Sequence, residues 1–272
     1  MKLLDNAKTL LTQPGIFQDY VSYQTSRWKN QGQAIRILSD NLKITGLSGF
    51  SEFHSCQNFL SSQERSFFQT HAFEPGDLID VGANLGVISL LLAQHFPTRT
   101  VHAFEPNPFT FKALQHNIAL NNCPNISPQN LAVAGHDGEI TFNADPIYRG
   151  TTSITKTFEQ HTISVPCMAL DTYAEKQSMQ KIALLKVDVE GYEALVFEGA
   201  QKLLAQQQIQ VIYYEVCPEI TRKADLSPSA PTEMLLNHGY RIFRLKSDGT
   251  LILVEVDEIE QINCENWIAL CP

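Results

Sequence analysis

The sequence predicts an α/β protein built around a mostly parallel sheet with helices on both faces. Three observations carry that prediction. From Gly76 onward, short apolar runs alternate with helical patterns, as a parallel sheet requires when each crossover helix covers a face. Leu78-Ile79-Asp80-Val81 leads into Gly82-Ala83-Asn84-Leu85-Gly86 and then the apolar Val87-Ile88-Ser89-Leu90-Leu91-Leu92-Ala93, which reads as a strand, a tight turn and the start of a helix. Acids stand where strands end, at Asp80, Glu105, Asp188 and Glu215, the edge at which open α/β sheets bind ligands.

Residues 1–75 read as a cap of helices and a hairpin, and residues 76–272 as the sheet domain. In the cap, Ile35-Arg36-Ile37-Leu38 and Leu42-Lys43-Ile44 predict short strands around Ser39-Asp40-Asn41. Ser61-Ser62-Gln63-Glu64 has capping-box spacing, so a helix is expected from there to about Ala72. Strand one covers residues 78–81 and its helix 87–96. Strand two, over 100–104, ends at Glu105-Pro106-Asn107, where Asn107 suits an N-cap and Pro108 a first helical residue. Phe111, Leu114 and Ile118 give the helix that follows an apolar stripe. Strand three is expected at Asn130-Leu131-Ala132-Val133. An inserted β segment (139–142, then 163–166) and a helix from Asp171 follow. Strand four covers 182–189, with a helix carrying Leu195, Val196, Gly199 and Leu203, and strand five covers 211–216. A hairpin across Ser247-Asp248-Gly249-Thr250 and the run Trp267-Ile268-Ala269-Leu270 supply antiparallel strands that complete the sheet.

Composition narrows the function. A net charge of −9 over 272 residues gives no basic face for a nucleic acid, so a polyanionic partner is not expected. No apolar run approaches the ~18–20 residues that span a bilayer, and Met1-Lys2-Leu3-Leu4-Asp5-Asn6-Ala7-Lys8 lacks the apolar stretch of a signal peptide. The six cysteines (Cys56, Cys123, Cys167, Cys217, Cys264, Cys271) have no C-x-x-C spacing. Neither structural zinc nor a disulfide framework is expected, and the reading is a reduced, cytoplasmic protein of unassigned oligomeric state.

The glycine turn decides the ligand class. A dinucleotide fingerprint is G-x-G-x-x-G, whereas Asp80-x-Gly82-x-x-x-Gly86 has two glycines and a preceding acid. That form suits a ligand with an ammonium and a carboxylate, such as the methionine end of S-adenosylmethionine. Asp80 is expected to orient the turn and the ammonium, and Asn84 to donate to the carboxylate. Glu105, placed after strand two, can accept two hydrogen bonds from a ribose diol. In Lys186-Val187-Asp188-Val189-Glu190-Gly191-Tyr192-Glu193, Lys186 and Asp188 share strand parity and can form an ion pair. Glu190, in the turn beyond, is a catalytic acid or base, a ligand for a substrate hydroxyl, or a helix cap.

Three segments together resemble the FkbM family of S-adenosylmethionine-dependent methyltransferases: residues 79–86, Ala103-Phe104-Glu105-Pro106-Asn107-Pro108, and residues 185–193. Weaker likeness comes from Val133-Ala134-Gly135-His136-Asp137-Gly138, Thr152-Ser153-Ile154, Val165-Pro166 leading to Leu170-Asp171, and residues 46–53. The resemblance implies a Rossmann-like class I methyltransferase fold with a seven-stranded, mostly parallel sheet and an antiparallel C-terminal strand. It also implies methyl transfer to a hydroxyl of a sugar or secondary metabolite. Cofactor contacts are then expected from Asp80, Gly82, Ala83, Asn84, Gly86, Glu105, Pro106, Asn107, Asn130, Ala132 and Asp188.

A hydroxyl is a weak nucleophile and needs a base. Glu190 is the first candidate, with Asp188 beside it and His54 of the cap behind. No metal ligand is assigned; the alternative is Mg²⁺ held by Asp188, Glu190 and Glu215. Phe50, Phe53, Tyr148, Arg149 and the loop over 218–231 are expected to shape the pocket for a small-molecule or glycan acceptor. Two rival readings remain: a nicotinamide-dependent oxidoreductase, which lacks here its third glycine and a Tyr-x-x-x-Lys pair, and a non-catalytic binding module of the same fold.

Overall fold

A computed structural model describes residues 14–143 and 162–272; Tyr148, Arg149 and Thr152-Ser153-Ile154 lie outside them. The cap comprises α1 (Pro14–Lys29), the antiparallel hairpin β1 (Arg36–Ile37) and β2 (Lys43–Ile44), α2 (Phe50–Ser55) and α3 (Ser62–Thr70). The capping box at the start of α3 forms, with Ser61 Oγ accepting from Glu64 N at 3.2 Å and Glu64 Oε2 accepting from Ser61 N at 2.8 Å. Glu64 Oε1 accepts in turn from the Tyr213 hydroxyl and from Asn266 Nδ2, which anchors the helix to the sheet.

The sheet domain begins with β3 (Asp77–Val81), α4 (Val87–His95), β4 (Val101–Phe104), α5 (Pro108–Leu120) and β5 (Ile126–Gln129). Next come β6 (Ala132–Val133), β7 (Gly138–Asn143), β8 (Thr162–Met168) and α6 (Leu170–Lys176). They are followed by β9 (Ile182–Val187), α7 (Glu193–Glu198), α8 (Gln201–Ala205), β10 (Ile209–Val216), α9 (Pro218–Lys223) and α10 (Ala230–Asn237). The chain finishes with β11 (Arg241–Leu245), β12 (Leu251–Leu253) and β13 (Glu265–Leu270). The main sheet has the order β12-β11-β13-β10-β9-β3-β4-β5. Strands β10, β9, β3, β4 and β5 run parallel, and β13 inserts antiparallel between β10 and β11. The expected seven strands are present, and β12 adds an eighth at the edge because the hairpin arm beyond Asp248 stays paired.

Strand three is displaced from its expected place. It is β5, four residues earlier, while Ala132–Val133 leaves the main sheet and pairs with β8 in a separate three-stranded sheet. Apolar content favoured Leu131-Ala132-Val133, but the edge of a sheet tolerates the polar and proline-containing Ile126-Ser127-Pro128-Gln129. The helix after strand four also breaks, at Gly199, where a Cβ would stand 2.1 Å from the Ala134 carbonyl. Every residue of β9 is buried. One apolar layer joins α4, α5 and the cap residues Leu42, Ile44, Cys56, Phe67 and Phe68, and the other lies under α6, α7 and α10. The cap therefore shares its core with the sheet domain. Asn117 fixes the junction: Oδ1 accepts from Thr45 N at 2.9 Å, and Nδ2 donates to the Thr45 and Leu85 carbonyls at 3.2 and 2.9 Å. That ties the β2 end of the cap to the glycine turn.

Candidate active site

The turn after β3 is built by backbone demands. Gly82 has φ +76°, and a Cβ there would lie 1.9 Å from the Asp188 carbonyl, so only glycine lets the β3 and β9 ends approach this closely. Asn84 follows in the left-handed region at φ 51°, which asparagine tolerates better than most residues. Gly86 closes the turn at φ +87° and opens α4.

Register then sets the charges. Asp80 lies opposite Lys186 on β9, with Oδ1 3.0 Å from Nζ and Oδ2 accepting from the Ser89 hydroxyl at 2.6 Å. Asp80 and Lys186 are both buried. Lys186 Nζ also donates to the Gly82 and Val81 carbonyls at 2.8 and 3.2 Å, and stands 3.7 Å from Asp188 Oδ2. Burial alone would lower its pKa, but the Asp80 and Asp188 carboxylates outweigh that and raise it. The expected Lys186–Asp188 pair is therefore the longer of two contacts, and Asp80 is the closer partner.

Above this floor lies a cavity of about 480 Å³, within the size range of small-molecule sites. One wall is the cap, through Ser48, Ser51, Glu52, Ser55 and Phe59; the other is Gly82, Ala83, Asn84, Asp188, Glu190 and Glu215. Glu190 holds a left-handed backbone at φ 55°, followed by Gly191 at φ +94°, strain that a non-glycine residue carries only where its surroundings impose it. Burial, then the Glu215 and Asp188 charges, push the Glu190 carboxyl up to about 7. Glu215 is pushed to about 7 by burial and Asp188. The cap of the following turn is Glu193, whose Oε1 accepts from Val189 N at 3.1 Å and Gly191 N at 3.3 Å. Burial raises its pKa to about 8. Sequence reasoning missed Glu193; its signal was an acid four residues after Val189 at a helix start. It leaves Glu190 free of a capping duty.

Glu105 is buried beside the turn. Its Oε2 accepts from Asn84 N and its Oε1 from Asn107 N, each at 2.9 Å, and burial raises its pKa to about 7. Asn107 caps α5 through Phe109 N at 3.0 Å, and Asn130 Nδ2 donates to the Glu105 and Pro106 carbonyls, each at 2.9 Å. Glu105, Pro106, Asn107, Asn130 and Ala132 thus sit behind the turn and do not line the cavity; Ala132 belongs to the second sheet. His54 is also outside the lining. It turns to Asp19 of α1, Nδ1 to Oδ2 at 2.7 Å, and stacks on Phe50, so the cap histidine is engaged away from the candidate base. The Mg²⁺ set does not assemble either. Among the described residues the one group of at least three metal-binding side chains with ligand atoms within 4.8 Å of one another is Glu215, Cys217 and Cys264, which excludes Asp188 and Glu190.

A methyltransferase FkbM domain model matches residues 80–242. The chain belongs to the FkbM methyltransferase domain family. It is similar to Methyltransferase 1 of Beauveria bassiana, at 28% identity over 45% of this chain and 57% of that protein. It is likewise similar to the hexuronic acid methyltransferase AglP of Haloferax volcanii, at 28% identity over 60% of this chain and 63% of AglP. A short stretch, 16% of this chain and 17% of the relative, is 52% identical to the 31-O-demethyl-FK506 methyltransferase FkbM of Streptomyces tacrolimicus. The chain thus matches less than two thirds of the length of the first two.

The FkbM domain implies S-adenosylmethionine, and the residues present fit it. Asn84 Oδ1 is buried in the cavity wall without a hydrogen-bond partner, and a buried acceptor left open is costly unless a donor arrives. Behind the wall, Glu105 braces the turn by accepting from the Asn84 and Asn107 amides.

Proposed function

We propose that this FkbM domain protein is an S-adenosylmethionine-dependent O-methyltransferase acting on a hydroxyl of a neutral sugar or secondary metabolite. The observation that carries the proposal is the Glu190 carboxyl, strained into a cavity beside the glycine turn and buried among acids that raise its pKa to about 7. A base poised near working pH is what deprotonation of a weak hydroxyl nucleophile needs. The cofactor supplies an electrophilic methyl group on a sulfonium. Asn84 Oδ1 would accept from its ammonium, while Glu105 from behind and Asp80 with Lys186 from below hold the turn that presents it. Glu190 takes the acceptor proton, and the cap wall of Ser48, Ser51, Glu52 and Ser55 orients the acceptor by hydrogen bonds.

Charge selects the acceptor. Among the described residues the cavity is lined by Glu52, Asp80, Asp188, Glu190 and Glu215, and its single cation, Lys186, is engaged by Asp80. A uronate would meet like charges there. The test has two arms. Fluorescence titration should give binding of S-adenosylhomocysteine and none of NAD; NAD binding alone overturns the reading in favour of the oxidoreductase. Isotope-labelled methyl donor should label neutral hexosides or macrolide-type alcohols in preference to hexuronates. No product from any acceptor would favour the binding module.

A further inference from the structure

We propose that Glu215, Cys217 and Cys264 form a zinc site at the junction of β10 and β13, beside the acceptor cavity. The proposal is independent of which reaction the cavity performs. Sequence spacing gives no hint of it, since Cys217 and Cys264 are far apart in the chain and neither has a C-x-x-C partner. Strand register supplies what spacing does not. Strands β10 and β13 run antiparallel with Glu215 opposite Asn266 and Val216 opposite Glu265, so continuing the pairing by one residue sets Cys217 against Cys264. Glu215 and Cys217, two residues apart, project to the same face of the strand. The carboxylate and both sulfurs converge there, with all three ligand atoms within 4.8 Å of one another.

The distances fit a tetrahedral ion. Zinc binds thiolate sulfur at about 2.3 Å and carboxylate oxygen at about 2.0–2.2 Å, so a sulfur and an oxygen on one tetrahedron lie about 3.5 Å apart. Cys264 Sγ stands 3.3 Å from Glu215 Oε1. A separate observation also points to a ligand: Glu215 Oε2 is buried without any hydrogen-bond partner, an acceptor whose open lone pairs a cation would satisfy. Two thiolates with one carboxylate favour Zn²⁺ over the hard ions Mg²⁺ and Ca²⁺. Cys217 is buried and Cys264 exposed, so the site has a supporting wall and an entry path. On binding, each thiol gives its proton to solvent and the ion takes two thiolates and a carboxylate. Three protein ligands leave one position open, the pattern of zinc sites that also hold water or substrate. Because Glu215 lines the acceptor cavity, the ion would fix that carboxylate in place.

The test is zinc binding by the full-length, reduced protein, with Zn²⁺ competed against a chromophoric chelator and Co²⁺ as a spectroscopic substitute. One tight site per chain is expected, with thiolate-to-Co²⁺ charge-transfer absorption. Cys264→Ser should weaken binding by more than about 100-fold, beyond the 10–100-fold that loss of a supporting partner costs. Glu215→Gln should weaken it while keeping the charge-transfer band, because both sulfurs remain. Cys264 is exposed, so its serine variant should keep the wild-type near-ultraviolet circular dichroism and melting temperature. Cys56→Ser, outside the cluster, serves as the control and should bind as wild type. Three results would overturn the proposal: no stoichiometric binding, equal binding by the Cys217→Ser/Cys264→Ser double variant, or thiol counting that finds Cys217 and Cys264 joined as a disulfide under reducing conditions.

Discussion

Glu190→Gln removes the carboxylate and little else. The side chain lines the cavity, while the capping of the adjacent turn belongs to Glu193, so the amide should leave the fold intact. A positioned general base is worth about 10²–10⁴ in rate, or about 2.7–5.4 kcal/mol in the barrier, and that loss is expected in kcat with a smaller change in KM. The pH profile gives the sharper reading. With the Glu190 carboxyl pushed up to about 7, the ionised fraction is about one tenth at pH 6 and about nine tenths at pH 8. Wild-type kcat/KM should therefore rise roughly tenfold across that interval, and the Glu190→Gln profile should be flat. Glu215 raises the Glu190 pKa by its charge, so Glu215→Gln should shift the profile to lower pH; the two acids titrate as a pair, and the midpoints belong to both. The assay is initial-rate methyl transfer from labelled donor, on protein stripped of metal so that Glu215 carries its own charge. A Glu190→Gln variant retaining more than about one tenth of kcat, or losing activity with the wild-type pH slope intact, would refute the assignment.

Lys186→Met should destabilise the protein by about 3–5 kcal/mol in urea denaturation, because it leaves the fully buried Asp80 uncompensated; adding Asp80→Asn should recover much of the loss, and a cost under about 1 kcal/mol for the single change would contradict the pairing. Gly82→Ala forces a Cβ to within 1.9 Å of the Asp188 carbonyl at φ +76°, so calorimetry should find S-adenosylhomocysteine binding weakened by at least about tenfold, and wild-type affinity would mean that the turn does not form the cofactor wall. Folded-state pKa values of about 7 for Glu105 and about 8 for Glu193 exceed the unfolded carboxylate value, so the native state binds more protons and stability should fall as pH rises from about 6.5 to 8. Below that window His71 and His102, whose pKa values burial lowers, act in the opposite sense. Urea midpoints that rise from pH 6.5 to 8, or a Glu193→Gln variant as pH-sensitive as wild type, would exclude burial of the charged groups as the cause.

The central elements were legible because their signals are local. The glycine turn, the capping box at Ser61 and the Asn107–Pro108 helix start each rest on residues within a few positions of one another, and each forms. Strand three was misplaced because apolar content outweighed the rule that an edge strand can be polar. The parallel acids at the strand ends were visible, but their pairings were not. Lys186 and Asp188 share a strand face and so suggested each other, whereas the closer partner, Asp80, lies across the β3–β9 register. His54 was credible as a base until tertiary contacts turned it to Asp19. The convergence of Glu215, Cys217 and Cys264 depends on antiparallel pairing between distant segments, information that no spacing rule contains.

The placement of one lysine explains how the site can hold several carboxylates and still keep one of them basic. Lys186 stands directly across from Asp80 and also donates to the two turn carbonyls, so its charge is committed to the floor of the crevice. It reaches Asp188 at 3.7 Å, and for Glu190 its influence is the smallest of the named causes, outweighed by burial and by the Glu215 and Asp188 charges. Had the cation been placed two residues further along, at position 188 on the same face, it would have stood nearer Glu190 and lowered its pKa, leaving a weaker base. Strand register therefore divides the labour: the acid opposite the lysine secures the glycine turn, and the acid on which its charge acts weakly stays protonatable near neutrality. The αL backbone at Glu190 and Gly191 follows the strand end, where the lysine's charge acts on the second acid less than burial and the neighbouring carboxylates do.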